Sequence, residues 1–166
     1  SIGMFSNFYS VIPLNISFFN TTLVDRMDYM FRGFNSTLPD ISNFNTTNLK
    51  YTRYMYSYRN VTEFLNYSFF DSSKVTDMAY MFSECPYMKS LDLSNLKTDS
   101  TKDMEYMFKN CYNLTSLIIS SFKTSKVNYM FGMFYNCYSI KSLDLSNFNT
   151  SSVNTMNSMF YYCKSI

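Results

Sequence analysis

Residues 127–150 read VNYMFGMFYNCYSIKSLDLSNFNT. This stretch decides the fold, because its pattern returns along the whole chain. Aligned on Met133-Phe134, the pair recurs as Met159-Phe160, Met107-Phe108, Met81-Phe82, Met55-Tyr56, Met30-Phe31 and Met4-Phe5, at steps of 26 residues with one step of 25. Other columns keep the same register: Val75, Thr101, Val127 and Val153; Met78, Met104, Met130 and Met156; Cys85, Cys111, Cys137 and Cys163. Leu91, Leu117 and Leu143 form another, followed two residues later by Leu93, Ile119 and Leu145. Composition alone cannot hold so many columns in step, and a fixed period of this length marks a repeat architecture.

Working outward, residues 75–166 carry the regular copies and residues 1–74 degenerate ones. Ile16 and Phe19, Ile41 and Phe44, and Tyr67 and Phe70 stand where Leu93 and Leu96 stand later, while the Cys column becomes Phe8, Phe34 and Arg59. The chain reads as one solenoid domain over 1–166 of about six repeats. Both ends fall within a repeat, and the expectation is a fragment of a longer chain.

Each repeat shows two periodicities. Val75, Met78, Met81, Phe82 and Cys85 are spaced as one face of a helix. Ser73, Ser125 and Ser151 precede such runs as N-caps, and Asp77 and Asp103 fall in the first turn, where a negative charge suits the helix dipole. Leu91 and Leu93 then alternate with Ser90, Asp92 and Ser94, the period of a short strand with one buried face. One such unit is too small to bury its own faces, so copies must stack. The expected fold is an α/β repeat: a leucine-rich-repeat-like right-handed solenoid, with short parallel strands on one face and short helices on the other.

The later copies follow V-x-x-M-x-x-M-F-x-x-C-x-x-L-x-x-L-D-L-S-x-F-x-T. This motif resembles the BspA-like leucine-rich-repeat surface proteins, a group that includes mycoplasma-type lipoprotein repeats of unknown function. The standard leucine-rich repeat places Asn three residues after its last strand leucine. Leu96, Phe122 and Phe148 hold that position here, so an apolar spine replaces the asparagine ladder. The resemblance implies an extracellular or cell-surface protein that adheres to, or binds, host and matrix molecules. It supplies no catalytic residues.

Composition narrows the function classes. The chain has no His, so the commonest general base is missing, and its carboxylates and serines sit in repeating columns that offer no asymmetric site. The reading is a non-enzyme without cofactor or metal. A net charge of +2 with no basic run argues against nucleic acid. No apolar stretch is long enough to span a membrane. The four cysteines, 26 residues apart, do not match zinc spacing, and they read as a column of buried free thiols.

The outward strand column is the candidate partner-binding face: Asn15, Asp40, Asn66, Asp92, Ile118 and Asp144. Within it Asp92, Ile118 and Asp144, with Ser94, Ser120 and Ser146 beside them, are the residues singled out. Ile118 is an apolar anchor amid polar neighbours. Tyr87, Tyr112 and Tyr138 are alternative anchors. The partners expected are proteins or glycans at a cell or matrix surface. A second reading is a fibre or sheath subunit that binds copies of itself through its ends or lateral faces. The threonines Thr98, Thr124 and Thr150 suggest a third, ice or polysaccharide binding. Sequons begin at Asn15, Asn20, Asn35, Asn45, Asn60, Asn66, Asn113 and Asn149; in a eukaryotic secretory host these would carry glycans.

Overall fold

Residues 104–111 show how one unit is made. Met107 N donates to Met104 O (3.3 Å), Lys109 N to Tyr106 O (3.0 Å) and Cys111 N to Phe108 O (3.3 Å), so the segment is three tight turns chained end to end. The intervening amides point elsewhere. Met104, Tyr106, Phe108 and Asn110 donate to Tyr129, Phe131, Met133 and Tyr135 of the next unit at 2.8–2.9 Å. Tyr106 (φ 52°) and Asn110 (φ 61°) are left-handed, at the third position of the first and last turns. A type II turn demands that conformation there.

The computed structural model describes residues 2–8, 14–35, 38–62 and 71–166. Among them there is no helix, and the only strands are β1 (Ser90–Asp92) and β2 (Ser116–Ile118), paired in parallel with Leu91 opposite Leu117. The α/β leucine-rich-repeat solenoid expected from the sequence is therefore incorrect. An α-helix needs consecutive amides to bond back four residues. Here alternate amides leave for the neighbouring unit, and two left-handed residues per unit break any helical run. Tight turns also return side chains to one side every three or four residues, so the apolar spacing was real and its helical interpretation was not. Nor do the presumed caps serve a helix. Asp77 and Asp103 accept the amides of Ala79 and Glu105, both at 2.9 Å, in side-chain-closed turns, and Ser73 N donates to Asp71. The strand expected at Leu143 and Leu145 does not form either; both side chains pack partly buried against the core.

Successive units lie on one another. A ladder of parallel bridges joins Arg26 to Tyr51, Tyr51 to Asp77, Asp77 to Asp103, Asp103 to Tyr129 and Tyr129 to Thr155. Inside it runs a ring stack, Phe31, Tyr56, Phe82, Phe108, Phe134 and Phe160, with centroids 5.4–5.8 Å apart and planes within 12°. Met78, Met104, Met130, Met81, Met107 and Met133 are fully buried around it. Unbranched thioethers adapt to the gaps left between rings.

Two polar columns hold the interior together. Cys85, Cys111, Cys137 and Cys163 are free, and each thiol donates to a carbonyl of the preceding unit at 3.0–3.4 Å. Burial pushes the Cys85 thiol up to about 11 and raises those of Cys111 and Cys137 well above their ordinary value. Arg59 occupies the same column and donates its Nε to Phe34 O at 2.8 Å. The second column is Thr21, Thr46, Ser72, Thr98 and Thr124, all buried. The hydroxyls of Thr98 and Thr124 each donate to a carbonyl and accept the amide of the same residue in the next unit. Of the threonines suggested for ice or polysaccharide binding, Thr98 and Thr124 are 1% exposed with their hydroxyls committed, and Thr150 alone is exposed.

Candidate functional site

The outward column of the strand face is built from turns closed by side chains. Asp92 Oδ1 accepts Ser94 N at 2.8 Å, Asp144 accepts Ser146 N at 3.0 Å, Asp40 accepts Ser42 N at 2.8 Å and Asn15 accepts Ser17 N at 3.1 Å. Asx residues do this because a short side-chain oxygen reaches the amide two residues on. Hydrogen bonds from the serines hold the carboxyls of Asp92, Asp144 and Asp40 below their ordinary value, so they are ionised at neutral pH. Each aspartate thus has a structural duty and still presents a fixed negative charge.

Ile118 breaks the row. It lies opposite Asp92 in the parallel register, one period before Asp144, and cannot close a turn onto Ser120. Its side chain is 44% exposed. Ser94, Ser120 and Ser146 are exposed alongside. The structure therefore gathers Asp92, Ile118 and Ser94 with the Ser120 row on one surface, with Asp144 and Ser146 continuing it. At the other end of this column a shallow pocket of about 380 Å³ is lined by Leu14, Asn15, Ile16, Ser17, Leu38, Pro39 and Asp40. Asn66 lies outside the described residues.

The sequons have a structural explanation. Asn15, Asn20, Asn45 and Asn149 accept the amide of the Ser or Thr two residues on, as Asp40, Asp71, Asp92 and Asp144 do in the aspartate versions. At these four positions Asn-x-Ser/Thr serves as a turn motif. Asn113 uses its amide nitrogen on Pro86 O at 2.8 Å, and Asn35 accepts Asn60 N. Of the alternative anchors, Tyr87 is 53% exposed, while Tyr112 and Tyr138 stack on each other at 5.2 Å.

A second surface was not singled out from the sequence. Tyr29, Tyr54, Tyr80 and Tyr106 occupy the first left-handed column with ring centroids 4.9, 4.4 and 4.9 Å apart, the first two pairs stacked and the third tilted. Arg53 lies beside the rings of Tyr54 and Tyr80 and between Asp77 (3.6 Å) and Asp103 (3.5 Å). Burial raises the Asp103 carboxyl, as does the charge of Asp77, while the amide of Glu105 and the Arg53 guanidinium oppose the shift. The signal was available, since these tyrosines recur at 25 or 26 residues, but a tyrosine column read as a helix surface carries no message.

Among the described residues no group of three or more His, Cys, Asp or Glu side chains is placed to hold a metal ion, and no helix is long and apolar enough to cross a membrane. No curated protein and no solved structure gives a match to the chain. A family match does cover it, over residues 2–90 and again over 56–166, the overlap reflecting the internal repeat. With its length accounted for in this way, the chain belongs to the family described as "Mycoplasma protein of unknown function, DUF285".

Proposed function

We propose that this chain is a protein-binding module of the adhesion type, displayed at a cell surface, and that it works without catalysis. The observation that carries the reading is Ile118, an apolar side chain 44% exposed on the strand face between two positions held by ionised aspartates. An exposed apolar residue within a polar rim is the arrangement from which interface anchors are made. Extended faces of stacked repeats are the usual docking surfaces of such proteins. The resemblance of the motif to BspA-like surface proteins supports the location and the class of partner.

Charge also favours a different protein over a second copy on this face. Two copies facing each other about a two-fold axis through Ile118 would set Asp92 against Asp144, and like charges at an interface disfavour the pairing. The fitting partner offers an apolar side chain flanked by basic or hydroxyl groups.

The test is a binding screen against immobilised matrix proteins and host-cell surfaces, repeated with Ile118→Lys and Asp92→Lys. Truncation or charge reversal at an anchor costs about 2 kcal/mol or more, some thirtyfold in affinity. Binding that survives both substitutions removes this face from consideration. Binding to no surface protein at all removes the adhesion reading.

A further inference from the structure

The tyrosine ladder has no part in the binding face, yet its rings lie in close contact. Tyr54 and Tyr80 lie with ring centroids 4.4 Å apart and planes at 15°, the shortest ring separation in the ladder. Both rings are half-buried and held by left-handed backbones at φ 56° and 59°. Tyr29 stacks on the far side of Tyr54, and Tyr106 lies against the far side of Tyr80 with its plane tilted by 31°. Phenols held this way are pre-positioned for reaction with one another, because the encounter that free tyrosines must make by diffusion has already been made.

The geometry points to an oxidative modification site: Tyr54 and Tyr80 couple to dityrosine when the protein meets a one-electron oxidant, such as a haem peroxidase with hydrogen peroxide. Each phenol gives up one electron and its hydroxyl proton and becomes a phenoxyl radical. The two radicals join through a new carbon–carbon bond between the ring carbons next to the oxygens. Each of those carbons then yields its hydrogen to the adjacent oxygen, which restores two phenols. The two electrons and two protons lost reduce one peroxide to two waters. The product lacks two hydrogens and ties neighbouring units together covalently.

The ladder also directs where the chemistry ends. A radical formed on Tyr29 or Tyr106 lies one ring contact from the Tyr54–Tyr80 pair, so any rung can feed it. Three of the four competing thiols are withdrawn, with Cys85, Cys111 and Cys137 buried and bonded to carbonyls, while the half-buried Cys163 thiol donates to Phe134 O at 3.0 Å. A buried protonated thiol is a poor site for oxidation. Exposed Met4 and Met156 gain oxygen rather than lose hydrogen, so their products separate by mass.

The intact chain is treated with peroxidase and peroxide, digested with trypsin and examined by mass spectrometry. Cleavage at Arg53, Arg59, Lys74 and Lys89 releases Tyr54 within residues 54–59 and Tyr80 within 75–89. The expected result is a joined pair of these peptides, two hydrogens short, with fragment ions placing the bond on Tyr54 and Tyr80. Tyr80→Phe keeps the ring and abolishes that product, Tyr87→Phe leaves it unchanged, and unfolding in urea before oxidation suppresses it. Cross-links spread over the exposed Tyr87, Tyr161 and Tyr162, links mainly between molecules, or equal yield from the unfolded chain would each overturn the assignment. Should Tyr80→Phe disturb the fold, the Tyr87→Phe and urea arms still decide.

Discussion

The side chain of Thr98 forms a two-way link with the backbone of Lys123: its hydroxyl donates to the Lys123 carbonyl at 3.0 Å and accepts the Lys123 amide at 2.7 Å. Thr98 is 1% exposed, so no water can take over either bond. Thr98→Val keeps the shape and leaves a donor and an acceptor unsatisfied. The expected loss is about 2 kcal/mol, read from urea denaturation as a lower midpoint with an unchanged slope. Thr98→Ser retains the hydroxyl and loses less.

Phe108 is fully buried, stacked 5.8 Å from Phe82 and 5.6 Å from Phe134 with planes 5° apart on both sides. Phe108→Ala removes a ring from the middle of a column whose neighbours cannot close the gap without breaking the register of the bridges. A loss of about 3–5 kcal/mol is expected. Differential scanning calorimetry on this variant and on Phe5→Ala should show a far smaller effect for Phe5, which is only partly buried at the edge of the core.

Gly132 stands in the left-handed column that holds Tyr29, Tyr54, Tyr80 and Tyr106, at φ 57°, and a Cβ built there would lie 2.5 Å from Cε1 of Tyr106. Gly132→Ala therefore meets both a left-handed backbone and the Tyr106 ring, at a cost on the order of 1–2 kcal/mol. Tyr106→Ala in the same chain should restore the ring-contact portion. A double-mutant cycle that shows no coupling between the two positions would refute the contact.

Two sets of carboxylates pull the pH dependence in opposite directions. Asp71, Asp92 and Asp144 titrate below their ordinary 3.8 because Ser73, Ser94 and Ser146 hydrogen-bond the charged form. Their stabilisation is present above 3.8 and is lost as pH falls through the lower native values. Asp103 is raised above 3.8 by burial, with a further push from the nearby Asp77. The folded state binds its proton more tightly, so stability rises as pH falls through the raised value towards 3.8. Denaturation followed from pH 7 to 2.5 should show a maximum at mildly acidic pH and then a steep fall. Asp103→Asn should flatten the rise on the acidic side of neutral and leave the fall in place.

The sequence shows how much of this arrangement can be read in advance. The 26-residue period, the burial of Leu91, Leu93, Leu117 and Ile119, and the buried thiols at Cys85, Cys111 and Cys137 all follow from side-chain type and spacing, and the structure has them. What spacing does not reveal is where a backbone amide points. Val75, Met78, Met81, Phe82 and Cys85 fall on one side whether a helix or a chain of tight turns carries them. The discriminating signals were weaker. Ala79 is the only alanine, and the Tyr, Asn and Phe that dominate the chain are indifferent helix formers. Asn110, Asn136 and Gly132 put left-handed-tolerant residues inside an apolar run. At the candidate face, Asp92 and Asp144 were legible as outward residues, but their turn-closing bonds were not, because Asp two residues before Ser also reads as an ordinary solvated pair. Ile118 stood out in both.

The routing of alternate amides to the next unit has a mechanical meaning. Bridges such as Asp77 to Asp103 and Asp103 to Tyr129 lie one behind another, so a pull on the two termini loads them in sequence and peels the chain from an end. Each unit that lets go pays out 26 residues, roughly 90 Å of slack when drawn straight. Under tension this protein should lengthen in equal steps and absorb work at each one, as a tether does that yields before its attachment fails.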